Sequence, residues 1–153
     1  MRSTDSRQRP DEAGFAGGLD GLVFGLLIFV VGTLIVASAW GVVDTKMATG
    51  TAATDAARTY VEADNATDAA AGARVAADDV LAGLGRDPAR GSVVLAGGLF
   101  GRCRRVTIRV SYPSPLVVLP FVGRVGRGLE VASSHSELVD PYRAGLPGTA
   151  TCA

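Results

Sequence analysis

This chain of 153 residues is poor in the side chains on which most site chemistry depends. It has one histidine, two cysteines, one tryptophan and one lysine, and its formal net charge is zero. A neutral chain presents no basic surface of the kind that binds nucleic acid. One His and two distant cysteines give no spacing for metal ligands. Histidine catalysis fares no better. His135 stands between Ser134 and Ser136, but neighbours along a strand point to opposite faces, so adjacent Ser and His cannot form a nucleophile pair. The glycines Gly14, Gly17, Gly18 and Gly21 follow no strand and match no phosphate-binding loop. No cofactor is expected, and no enzymatic constellation is present.

Charge is also missing from one long stretch, and this absence is the most informative feature of the sequence. From Gly21 to Val43 (GLVFGLLIFVVGTLIVASAWGVV) no charged residue interrupts the run between Asp20 and Asp44. As a helix it would be about 34 Å long at 1.5 Å per residue, enough to cross a hydrocarbon core of roughly 30 Å. Three readings of it stand. It is a retained transmembrane helix; or a secretory signal, with Ala37-Ser38-Ala39 as the small-x-small cleavage pattern; or a pilin-like N-terminus, in which a polar leader ends in Gly and is removed. Trp40 near the far end suits an anchor at headgroup level. In the third reading Gly14 is the processing position. Asp20, near the start of the helix, would neutralise a neighbouring subunit's terminal ammonium within an assembled filament. As alternatives, Asp20 marks the membrane boundary or caps the helix start.

Arg2, Arg7 and Arg9 precede the run, whereas Lys46 and Arg58 follow it over a similar length. The excess before the run places the N-terminus inside and the remainder outside the membrane. Cys103 and Cys152 both lie on that outer side, where a disulfide is permitted. Closing their loop would contribute ~3–4 kcal/mol in the chain-entropy description. The membrane helix carries small residues at Gly25, Gly32, Ala37, Ala39 and Gly41, which would let partner helices approach closely.

From Asp44 to about Gly85 the chain is Ala-rich, polar and free of proline. Ala48, Ala52, Ala53, Ala56, Ala57, Tyr60, Val61 and Ala63 recur at helical spacing, so the membrane helix is expected to continue outward to about Asp64. Asp64-Asn65-Ala66-Thr67 offers a turn or cap, and contains a glycosylation sequon. A second helix is expected from about Asp68 to Leu84, burying Ala73, Val75, Ala76, Val80, Leu81 and Leu84. Beyond Gly91 the pattern turns to strands. Ser92–Ala96 is a short apolar run, with Gly97-Gly98 as a turn. In Arg104–Tyr112 the residues Val106, Ile108, Val110 and Tyr112 alternate with Arg105, Thr107, Arg109 and Ser111, and Pro113 and Pro115 are expected to end it. Leu116–Val125 is apolar but carries Pro120; loop, short helix and surface-associated segment all remain open. Leu129–Ser134 reads as a last strand, antiparallel to the previous one, before an irregular tail. Arg102, Arg105 and Arg109, with Arg104, form a basic patch open to acidic polysaccharide or headgroups, or simply a solvated strand face.

In its order of features the chain resembles the TadE-like family, pilin-like proteins of tight-adherence (Flp-type) pilus systems. The resemblance rests on the apolar N-terminal helix running into Ala56-Ala57-Arg58 and on a second Ala-rich helix ending in Leu-Gly. It continues with a Cys before Val-Thr-Ile-Arg-Val-Ser-Tyr, Pro just after it, and a later Leu129-Glu130-Val131-Ala132-Ser133 strand. Processed members carry Glu at the fifth position after the cleaved Gly. Counted from Gly14, that position holds Leu19, and Asp20 falls one later. The resemblance implies a pseudopilin or pilus-assembly role, with membrane lipid and other pilin-like or assembly proteins as partners.

The expected architecture is therefore α+β, in four parts. Residues 1–20 form a cytoplasmic arm or leader, 21–43 a transmembrane helix, 44–85 an Ala-rich helical region, and 86–153 a small extracytoplasmic β-rich region. Such a chain would be a single-pass protein of the cell membrane. The competing function is an exported or anchored envelope-binding module that uses the Arg-bearing sheet face.

Overall fold

A computed structural model describes residues 12–114, 117–119, 123–125, 128–146, 149 and 151–152. The backbone runs as one long helix α1 (Glu12–Glu62), a second helix α2 (Ala66–Gly83), a single 3-10 turn (Pro88–Arg90) and five strands. The strands are β1 (Ser92–Gly97), β2 (Arg105–Ser114), β3 (Val117–Leu119), β4 (Gly123–Val125) and β5 (Leu129–Leu138). This is the expected α+β arrangement. The first, second and fifth strands make an antiparallel sheet in the order β1-β2-β5, and β3 pairs with β4 as a separate hairpin. Leu116–Val125, expected as a loop, short helix or surface-associated segment, instead contains two short paired strands.

α1 is 51 residues long, about 76 Å at 1.5 Å per residue, and its two halves live in different surroundings. Among the residues 21–33 every side chain is exposed. In the outer half Thr45, Ala48, Thr49, Ala52, Ala53, Ala56, Ala57 and Tyr60 are buried at the three- and four-residue spacing of one helix face. α2 answers with Ala69, Ala73, Ala77 and Leu81. The contact is close. A Cβ placed on Gly72 would come within 3.1 Å of Thr59 Cγ2, so little but alanine fits between the helices.

That tightness overturns part of the expected α2 core. Val75 is 58% exposed and Leu84 54%, while Ala69 and Ala77, not among the expected core residues, are buried. The face that can approach α1 is set by side-chain size and helical phase rather than by hydrophobicity. Both ends of α2 are capped as its sequence allows. Asn65, the sequon residue, accepts from the Thr67 and Asp68 backbone N–H groups. At the other end Gly85, at φ 71°, lets its own N–H reach Ala82 O and the Arg86 N–H reach Leu81 O, both at 2.9 Å. These two bonds form a Schellman motif.

β2 carries the sheet's share of the core. Val106, Ile108, Val110 and Tyr112 are buried beneath the helices, and Arg105 and Arg109 are exposed on the other face. The strand does not stop at Pro113, which pairs in register with Glu130. β1 has already ended opposite Ser111, so the position where a Pro113 N–H would point has no partner strand and proline costs no ladder bond. Between β1 and β2, Gly98 (φ 86°) holds a position that no side chain fits, because a Cβ there would lie 2.1 Å from Arg105 O. β5 continues four residues beyond the expected Ser134 and is antiparallel to β2 throughout. A disulfide joins Cys103, in the turn before β2, to Cys152 in the tail, with their Cα atoms 5.1 Å apart.

Candidate functional site

The apolar half of α1 is the most distinctive surface. Between Leu22 and Trp40, Phe24, Ile28, Phe29, Ile35 and Val36 are among its exposed large side chains, and Trp40 is 74% exposed. The helix is long and apolar enough to cross a membrane. Gly14 and Asp20 fall within its first turns, where the helical backbone runs without a break from Glu12.

At about 100° per residue, the small residues of this segment divide between two faces. Gly21, Gly25, Gly32 and Ala39 fall within about 40° of one another, and a Cβ at Gly21, Gly25 or Gly32 would meet nothing within 4 Å. Ala37 and Gly41 lie on the opposite side. Leu34, Ser38, Gly41 and Val42, on the stripe running from that side, are half-buried although Ala37 and their other neighbours are exposed, and the Gly41 carbonyl accepts from Ser114 Oγ at 3.3 Å. The chain's own sheet therefore half-buries Gly41, although a Cβ there too would meet nothing within 4 Å, while Gly25, Gly32, Ala37 and Ala39 are exposed.

Immediately outside the apolar run, polar contacts lock α1 to the domain. Arg86 donates to Asp44 Oδ2 at 2.5 Å and to Thr45 Oγ1 at 3.1 Å. Its guanidinium lies 5.2 Å from the Tyr112 ring centre, with Arg90 at 5.7 Å. Thr49 Oγ1 and Ser133 Oγ share a buried hydrogen bond of 2.8 Å. At the far end of α1, Arg143 donates to the terminal carbonyls of Val61 and Glu62 and to Asp64 Oδ1, which satisfies acceptors that the helix itself leaves open.

A shallow open groove of about 860 Å³ runs between α1 and β5, lined by Lys46, Met47, Gly50, Thr54, Ser133 and His135 among others. It follows the free edge of the sheet. Val139 donates to Arg104 O, so by antiparallel alternation the odd-numbered residues of β5 bond to β2, and the polar groups of Ala132, Ser134 and Ser136 face outward. Lys46 Nζ takes one of these, Ala132 O, at 2.5 Å. His135 lies beside this groove and pairs with Glu137 at 3.0 Å rather than with a serine.

The expected basic patch is divided as well. Arg105 and Arg109 stand exposed on the outer sheet face, beside the hydroxyl pairs Ser92–Ser111 (2.6 Å) and Thr107–Ser136 (2.8 Å). Arg104 is exposed just before β2, whereas Arg102 is half-buried in the preceding turn, with its Nε buried and unpartnered among the described residues. Sequence reasoning missed Thr45, Thr49 and Arg86 as the residues that join helix to sheet. The signal for the threonines was present, since both extend the alanine stripe at helical spacing. Arg86 carried none, because its partner Asp44 is remote in sequence.

Among the described residues no group of His, Cys, Asp or Glu is placed to hold a metal ion. Comparison with known protein families, with curated proteins and with solved structures finds no match.

Proposed function

We propose that this chain is a pilin-like structural or assembly component of a tight-adherence-type pilus or a related secretion system. It is held in the cell membrane by α1, with its N-terminus cytoplasmic and the sheet domain outside. One observation carries the reading: a single unbroken helix is bare and apolar in its inner half and built into an α+β domain in its outer half. A helix that only anchored a domain would need no rigid continuity with it. A subunit that assembles through its helices does, because continuity fixes the domain's position relative to the packed stem. The partners in this reading are membrane lipid and the helices of other pilin-like or assembly proteins, and the open face at Gly25 and Gly32 supports close helix approach.

The test is to place Leu at Gly25 and Gly32 and measure co-purification with other membrane components of the system. Loss of association, with the protein still in the membrane, is expected; undiminished association refutes the packing role. N-terminal sequencing of the mature protein adds a second criterion. A start within residues 15–19 supports leader removal and filament entry, and a start at Trp40 in the medium refutes the membrane reading. The exposed Arg105 and Arg109, on a sheet face that also carries hydroxyl pairs, favour an envelope-binding module as the second reading. Normal assembly with lost adhesion in an Arg105→Ala, Arg109→Ala variant would select it.

A further inference from the structure

The β3–β4 hairpin stands apart from the main sheet, with β3 against α1. Ser114, the last residue of β2, reaches the Gly41 carbonyl of α1, two residues short of the end of the apolar run. β2 therefore delivers the chain to the outer end of the apolar run, and β3, which follows after two residues, packs on α1. The half-buried stripe Leu34, Ser38 and Gly41 shows how far along the membrane segment α1 is covered. From Gly41 to Leu34 is about 10 Å at 1.5 Å per residue. The sequence here is apolar: Leu116–Val125 contains one charged residue, Arg124. Val117 pairs with Val125, Val118 with Arg124 and Leu119 with Gly123.

We propose that this hairpin is a lipid-contacting element, seated in the outer headgroup layer of the bilayer beside α1. Its backbone sets the depth. A two-stranded hairpin leaves one set of N–H and C=O groups unpaired on each outer edge, and these cannot enter hydrocarbon without partners. At the headgroup level water and phosphate satisfy them while apolar side chains reach the acyl boundary, roughly 5–10 Å deep. Trp40 marks the same level on α1, and an arginine at that depth can pair with lipid phosphate. The domain is thus held to the membrane at two points, the helix and the hairpin, which restricts its tilt about α1. This inference depends on α1 lying in a bilayer and not on the pilus reading.

The test uses the full chain in phospholipid vesicles with and without brominated acyl chains. In a Trp40→Phe background, a single tryptophan is placed at Val117 or at Val118, successive positions of β3, or at Thr107 on the outer sheet face. The expected result is that at least one hairpin tryptophan loses emission in brominated lipid as strongly as Trp40 does in the unaltered chain, while tryptophan at position 107 does not. Trp40 quenched with neither hairpin position quenched would overturn the proposal and leave the membrane helix intact. Trp40 unquenched would overturn both. The unaltered chain provides a measurement free of substitution: a photoactivatable lipid reactive at the upper acyl region should label peptides containing residues 117–125, and labelling confined to α1 refutes the hairpin's contact.

Discussion

The alanine seam between α1 and α2 makes a prediction opposite to the one hydrophobicity would give. Ala73 is 2% exposed and faces α1 across a gap so narrow that a Cβ on Gly72 would sit 3.1 Å from Thr59 Cγ2. Ala71, two residues earlier on the same helix, is exposed. Replacing either by Leu adds the same three carbons with nearly the same helix propensity. At Ala73 the added atoms must push the helices apart or adopt strained rotamers, costing about 1–3 kcal/mol. At Ala71 they enter solvent, and the change stays within about 0.5 kcal/mol. For a domain of this size a cost of about 2 kcal/mol lowers Tm by roughly 10 °C. The assay is thermal unfolding of full-length protein in detergent micelles, followed by near-ultraviolet circular dichroism of the buried Tyr60 and Tyr112. That signal reports domain packing, whereas the apolar half of α1 would dominate a helix signal. If Ala73→Leu unfolds within a degree or two of Ala71→Leu, the seam is not the tight contact described and the account of α2 fails.

Two further outcomes follow from the same packing. Removing the Cys103–Cys152 bridge, by reductant or by a Cys103→Ser, Cys152→Ser variant, should cost the domain ~3–4 kcal/mol through the freed loop; a denaturation midpoint indifferent to reductant refutes this. Burial of Tyr60 raises its pKa above the ordinary 10.0. The unfolded chain then loses its phenolic proton first, so stability present below pH 10.0 declines as pH rises toward the raised folded value and levels off beyond it. Tyr60→Phe should flatten that alkaline decline in equilibrium unfolding, and a decline of the same size in the variant would place its cause elsewhere.

The long helix was legible because two local signals agree: an uncharged run as long as a bilayer is thick, and an alanine stripe at helical spacing that continues it. β2 was legible because Val106, Ile108, Val110 and Tyr112 alternate cleanly with polar residues. α2's core was misread at Val75 and Leu84, because apolarity ranks residues by transfer free energy and takes no account of the space available. Pro113 was misread as a stop for a related reason. Proline is tolerated when no neighbouring strand needs its N–H, and only the extent of β1 decides that.

The sequence by itself determined that an apolar helix heads this chain, that an Ala-rich second helix follows, and that strands with one buried face complete an α+β domain. These are consequences of periodicity and length, which act within a few neighbouring residues. Tertiary structure alone decided which alanines are buried, that Arg86 ties Asp44 to the Tyr112 ring, that Gly41 is half-buried while Gly25 and Gly32 are exposed, and that β3 packs on α1. Each of these joins residues far apart in the chain, where approach is governed by the volume and angle at which elements pack rather than by any local preference.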